Sequence, residues 1–250
     1  MGKIYEVLKK AEADKQLQSK ILKASDQMIH AKRQPAKRSD GVSIMIEEYH
    51  RMKLLIQAAR GEETIKALVF SSSQQSEGTS TVVINFAKAI ASTGESVLLI
   101  DANLKRPSLH QAFNIEQNWG LSDLLQEKSS LSDVIKKTRI PNLSVITCGS
   151  PTHPNPQALF LADSTAVVLG RMKEQADWVL FDTPPLNSYN DAITLAARTD
   201  GVVLVLEAEK TRREVVQKVC ERLEESGIRI LGTVLNKRRM YIPDWAYNRL

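Results

Sequence analysis

The chain has 250 residues, 42% hydrophobic and 25% charged, a balance that excludes a disordered chain and suits one α/β domain with a short appendage. No run approaches the roughly 18 apolar residues of a membrane-spanning helix, and the opening MGKIYEVLKK lacks the apolar stretch of a secretory signal. Two cysteines with no CxxC pair exclude a disulfide framework and a thiolate metal site, so a cytoplasmic protein is expected, with peripheral attachment open.

The net charge of +5 is unevenly placed. Residues 1–60 hold 13 Lys and Arg against 7 Asp and Glu, and the rest hold 21 against 22. Residues 3–24 show a helical pattern through Ile4, Leu8 and Ala11, weakening toward Leu17 and Ile21. Residues 31–42 are basic and polar with Pro35 and Gly41, which reads as a linker. Its AKRQPAKR run suits anionic lipid, nucleic acid or an acidic protein face, or equally a solvated segment. Residues 43–59 regain helical spacing.

From residue 65 short apolar runs alternate with longer helical patterns. The runs are IKALVF (65–70), SVLLID (96–101), LSVIT (143–147), WVLFD (178–182), GVVLVLEA (201–208) and RILGTVL (229–235). Near-continuous Val/Ile/Leu strands between helices predict a doubly wound, mostly parallel α/β sheet with helices on both faces. Right-handed crossovers bring the carboxyl ends of such strands to one edge, where ligands bind.

Three strand ends carry chemistry. After 65–70 comes SSSQQSEGTSTVV and then a helix, the position of a phosphate-binding loop, in which Gly78 and the first helical amides would cradle phosphate. The loop holds Gly78, Thr79, Ser80 and Thr81, but no lysine, so taken alone it reads as an ordinary structural turn of small residues between strand and helix. Asp101 ends VLLID, with Asn103, Lys105 and Arg106 following, and Asp182 ends WVLFD ahead of TPP. Two aspartates at strand ends of one sheet can hold Mg²⁺ directly or through water; alone, either could be a turn or capping residue.

The order and spacing of SSSQQSEGTST, VLLIDANLKRPSLH and VLFDTPP resemble the bacterial tyrosine autokinases of capsule and exopolysaccharide synthesis, P-loop proteins related to the MinD/ParA group. The family's wording is close to SxPGEGKST, LLIDADLRRPxLH and VLxDTPP, its Walker A, A′ and B motifs. GLSDLL (120–125), GSPTHPNPQALF, GTVLNK (232–237) and the opening MGKIYEVLKKAE extend the likeness over most of the chain, least over 15–45. The resemblance divides the chain into a basic helical segment and linker (1–42), a P-loop NTPase-like domain (43–240) and a short tail (241–250). It implies ATP or ADP with Mg²⁺ as cofactors. Ser80, Asp101 and Asp182 would lie at the metal, Gly78, Thr79, Ser80, Thr81 and, more weakly, Asn236 at the nucleotide, and Lys105 at the basic position of Walker A′.

The chain departs from that pattern. Thr79 replaces the Walker A lysine and supplies no positive charge to phosphoryl oxygens. Ser73, Gln75 and Ser76 replace small, Pro and Gly residues, and their side chains are expected to hinder backbone approach to phosphate. Asn103 replaces a Walker A′ carboxylate. The family's tyrosine-rich tail is reduced to Tyr241 and Tyr247, the remaining phosphoacceptor candidates. Its Glu-x-x-Arg-x-x-Arg ring-packing helix reads Glu47, His50 and Lys53, which lack the arginine fork, so rings are not expected while other self-association stays open.

The expectation is a catalytically impaired autokinase-like protein of exopolysaccharide or capsule synthesis or export. Its partner would be a membrane polysaccharide co-polymerase of the chain-length-determinant type, which would recruit it to the inner membrane face. The alternatives are an active autokinase with an atypical loop and, less favoured, a MinD/ParA-like positioning ATPase. No nucleic acid is expected as a partner. His110 and His153 read as surface or turn residues, Cys148 and Cys220 as small packed side chains, and Trp119, Trp178 and Trp245 as packing residues.

Overall fold

A computed structural model describes residues 41–59, 64–150 and 156–238. The expected helix at 3–24, the linker up to residue 40, His153, Tyr241, Trp245 and Tyr247 lie outside the described residues. By internal contacts the chain divides into Met1–Val42 and Ser43–Leu250, and the second unit is the one described.

The helix α1 spans Gly41–Ala58. Then β1 (Ala67–Ser72) leads into α2 (Thr79–Ser92) and β2 (Val97–Asp101). Short helices α3 (Leu109–Phe113), α4 (Leu121–Leu125) and α5 (Leu131–Val134) precede β3 (Ile135–Lys137) and β4 (Leu143–Ile146). Next come α6 (Pro156–Leu161), α7 (Asp163–Gln175), β5 (Trp178–Asp182) and α8 (Asp191–Ala196). β6 (Gly201–Glu207), α9 (Arg213–Glu225) and β7 (Ile230–Asn236) are the last elements among the described residues.

The seven strands lie in the order β3-β4-β2-β5-β1-β6-β7. All neighbours are parallel except β3, which runs antiparallel to β4. The doubly wound, mostly parallel sheet read from the sequence is therefore the fold. Alternation along β1 explains both layers: Ala67 and Val69 enter one hydrophobic cluster, Leu68 and Phe70 the other. The first cluster is covered by residues of α4, α7, α8 and α9, the second by α1 and α2. In the second, the Phe86 ring centroid lies 5.3 Å from that of Phe70 and 6.1 Å from that of Trp178.

Two details differ from expectation. β1 begins at Ala67 and runs through Ser71 and Ser72, which are buried. Serines read as loop, but Ser71 Oγ donates to the Pro184 carbonyl (2.7 Å) and Ser72 Oγ to that of Gln74 (2.8 Å), so their burial leaves no hydroxyl unpaired. The three-residue β3 was not expected, since so short and half-buried a run shows no periodicity.

β1, β2 and β5 lie side by side, and register pairs Asp101 directly with Asp182. The sheet, rather than any loop, thus fixes both carboxylates at one edge beside the β1–α2 turn.

Candidate functional site

The β1–α2 turn is braced from inside by Glu77, which is only 3% exposed. Its carboxylate accepts from Ser73 Oγ (3.0 Å), from the Gln74 amide (2.9 Å) and from Thr211 Oγ1. Its carbonyl accepts from Asn236 Nδ2 at 2.9 Å. Ser76 and Gly78 take positive φ, 66° and 94°, which turns the chain into α2. A Cβ on Gly78 would lie 2.2 Å from Asn236 Nδ2, so this position needs glycine on two counts. No side chain caps α2, so its N-terminal amides and dipole present an anion-binding end.

Across from that end stand the carboxylates. Ser80 Oγ donates to Asp182 Oδ2 at 2.5 Å and accepts from Ser108 Oγ at 3.2 Å. Asp101 Oδ2 accepts the Ser108 and Leu109 amides at 2.9 Å each, and its Oδ1 accepts the Asn103 amide at 3.3 Å. Burial raises Asp101 to about 6 against the pull of these amides. Asp182 is raised to about 8 by burial and then by the neighbouring Asp101 charge, against the Ser80 hydroxyl. The better-bonded Asp101 is raised less, and burial first, with the Asp101 charge second, holds Asp182 the higher of the two.

Between these walls lies a cavity of about 320 Å³. It is lined by Gly78, Thr79, Ser80 and Thr81 on one side and by Asn103, Lys105, Arg106 and Tyr189 among others. Lys105 Nζ sits 4.2 Å from the centre of the Tyr189 ring. Arg106 Nη1 donates to Gln75 Oε1 at 3.0 Å.

The donor set fits Mg²⁺. Asp182 Oδ1 is buried without a hydrogen-bond partner, a costly state for a carboxyl oxygen unless something outside the chain binds it. It lies beside the Ser80 hydroxyl and faces Asp101 across one strand register. Oxygen donors of this kind suit Mg²⁺, which keeps several waters and takes one or two carboxylates.

The structure thus brings Gly78, Thr79, Ser80, Thr81, Asp101, Lys105 and Asp182 together. Asn236 stands apart from the cavity lining and holds the loop through the Glu77 carbonyl. The expected hindrance by Ser73 is corrected: its side chain is buried against Glu77 and does not line the cavity. Asn103 Oδ1 accepts the Arg106 amide at 3.2 Å, closing the turn after β2. His50 Nε2 contacts the Ala89 carbonyl (3.0 Å), and Lys53 pairs with Glu95 and faces the Trp178 ring, while Glu47 is exposed.

Among the residues read as inert, Cys148 is buried and Cys220 half-buried. His110 is half-buried on α3. Trp119 corrects the packing expectation, being 49% exposed. Sequence reasoning missed Glu77 as the brace and the Gln75–Arg106 contact. The four-residue spacing from Ser73 was the one available signal for the first, and a separation of 31 positions hid the second.

A family profile described as an AAA domain matches residues 65–230. The tyrosine-protein kinase YwqD of Bacillus subtilis (strain 168) is 33% identical over 198 residues, covering 79% of this chain and 83% of that protein. The chain belongs to the bacterial tyrosine-autokinase family. Among solved structures, the kinase domain of the Escherichia coli tyrosine kinase ETK matches this family member with a TM-score of 0.74 at 26% identity, covering 86% of each chain. The chimerical protein CapA2B2 matches with a TM-score of 0.73 at 32% identity, covering 78% of this chain and 85% of that one. MinD of Pyrococcus horikoshii OT3, solved with Mg-ADP, shares the fold, with a TM-score of 0.60, 23% identity and coverage of 74% and 76%. This autokinase-family chain is therefore a kinase-like P-loop protein, with Thr79 where the family wording places lysine.

Proposed function

We propose that the protein is a catalytically impaired autokinase-like subunit of exopolysaccharide or capsule synthesis or export, which binds Mg²⁺·nucleotide and acts in the cytoplasm on a membrane polysaccharide co-polymerase. The observation that carries this reading is the orphaned Asp182 Oδ1 beside Ser80, at a phosphate loop without its lysine. The metal-binding half is built and the cationic half is reduced.

The residues divide the work accordingly. The amides at the start of α2 would hold phosphate oxygens, and Gly78 lets the backbone come close. Ser80 and Asp182, with Asp101 behind a water, would hold Mg²⁺. When bound, that ion supplies charge neutralisation to the terminal phosphates. Thr79 offers a hydroxyl where transfer needs a cation. Losing one preorganised donor commonly slows a reaction by about 10²–10³-fold. The co-polymerase partner and the cytoplasmic site of action follow from the family. Consistent with them, no helix of the described residues is long and apolar enough to cross a membrane.

Calorimetric titration with ADP and ATP, with and without Mg²⁺, tests the site. Micromolar, Mg²⁺-dependent binding, lost in Asp101→Ala/Asp182→Ala, is the expected result. No binding up to millimolar nucleotide refutes it. The active-kinase alternative is favoured by one observation, the cations Lys105 and Arg106 on the cavity wall. Self-phosphorylation from Mg·ATP, abolished by Asp182→Ala and by Tyr241→Phe/Tyr247→Phe, would establish that alternative and remove the impaired one.

A further inference from the structure

We propose that Arg106 supplies the cation which the phosphate loop lacks at Thr79, and that Gln75 aims it. The proposal rests on the reading that the cavity takes Mg²⁺·nucleotide, and it names the residue that would compensate the loop. Among the described residues lining the cavity, the full positive charges are those of Lys105 and Arg106 alone.

Their settings differ. The Lys105 ammonium is spread over the Tyr189 ring, and its charge is felt by Asp191. Arg106 is fixed at both ends. Its backbone amide donates to the Asn103 carbonyl (3.1 Å) and to Asn103 Oδ1 (3.2 Å). Its head donates through Nη1 to Gln75 Oε1 on the phosphate loop. A guanidinium has five N–H donors in a rigid fork, so one spent on Gln75 leaves others for phosphate oxygens. Lys237, the other cation near the loop, does not line the cavity: its Nζ donates to the Ser76 carbonyl (2.5 Å) and pairs with Glu207 (3.1 Å).

Three departures from the family wording then form one arrangement. Thr79 removes a cation. Gln75, in place of a proline with no side-chain acceptor, holds the arginine that the family wording shares at position 106, and Asn103 fixes its root. An exposed Arg–Gln contact adds little to folding, so removing it should leave the fold intact.

The test is calorimetric titration of the full chain with Mg·ATP, Mg·ADP and inorganic tripolyphosphate with Mg²⁺, each variant's melting curve reporting folding. Arg106→Ala should weaken Mg·ATP by roughly tenfold or more, as expected for a lost charge-assisted contact, and Mg·ADP by less. Lys105→Ala should cost less than Arg106→Ala, and adding Thr79→Lys to Arg106→Ala should recover affinity. Gln75→Ala should fall between wild type and Arg106→Ala. Arg106→Ala within about twofold of wild type overturns the proposal, as does a larger loss in Lys105→Ala or no recovery with Thr79→Lys. Wild-type protein that binds none of the three probes overturns both this proposal and the nucleotide reading beneath it. Wild-type binding untouched by Arg106→Ala overturns this proposal alone.

Discussion

Asp101 and Asp182 are the residues whose chemistry is most displaced by the fold, and both displacements have the same sign. Burial lifts one to about 6 and the other to about 8, while an unfolded aspartate titrates near 4. The folded free protein therefore holds protons that the unfolded chain has released. The stability this contributes is fully present below about pH 4 and is lost as pH rises through about 6 and then about 8. Denaturant midpoints of the free protein should fall between pH 5.5 and 8.5, and Asp182→Asn should flatten the upper part of that fall. An unchanged slope in the variant would show that another group is titrating. These aspartates were legible in the sequence because each closes an apolar run that must be a buried strand. The bracing by Glu77 and the Gln75–Arg106 contact were not, because spacing along a chain says nothing about which side chains meet across a turn.

The turn from β1 into α2 is the element on which the site depends, and an acid holds it together. Glu77 gathers Ser73, Gln74 and, from the turn after β6, Thr211, while Asn236 fastens its carbonyl. The loop is thus tied to β7 and to the turn after β6 before any ligand arrives. Gly78 is the hinge of that arrangement, at φ 94° and against the Asn236 amide. Gly78→Ala should cost about 1–2 kcal/mol from the left-handed backbone, and nucleotide affinity should fall as the Asn236–Glu77 bond is displaced. Thermal melts and titration on the same sample check both. A variant with wild-type melting and affinity would mean that the turn can relax freely. Element positions were readable from the apolar runs, yet β1 extends into serines and β3 went unseen. Buried hydroxyls with backbone partners look like loop, and a three-residue strand has no period to detect.

At the scale of the molecule, one sheet carries two hydrophobic layers that share every central strand. Neither layer can come apart without exposing the other face, so the described unit should unfold as one cooperative step. Guanidinium titrations followed by far-ultraviolet circular dichroism and by fluorescence, where Trp178 is 2% exposed in the second layer, should coincide. Separated midpoints would show that the layers melt independently. The doubly wound sheet was legible as a whole because its parallel strands are apolar on both sides. The register of Asp101 opposite Asp182 was not, since ladders are set by pairing rather than by sequence distance. That register makes the site lopsided in how it can be altered. A ladder shifts in whole residues, and a single step turns every side chain of a strand to the opposite face, so the carboxylate pair has no small adjustments open to it. The loop has many: a charge can leave one position while a neighbouring wall keeps its own, and one codon can return it. The carboxylate half of the site is thus rigid and the loop half editable, so on the proposed reading nucleotide affinity can be tuned by substitutions in the loop while the strands stay as they are.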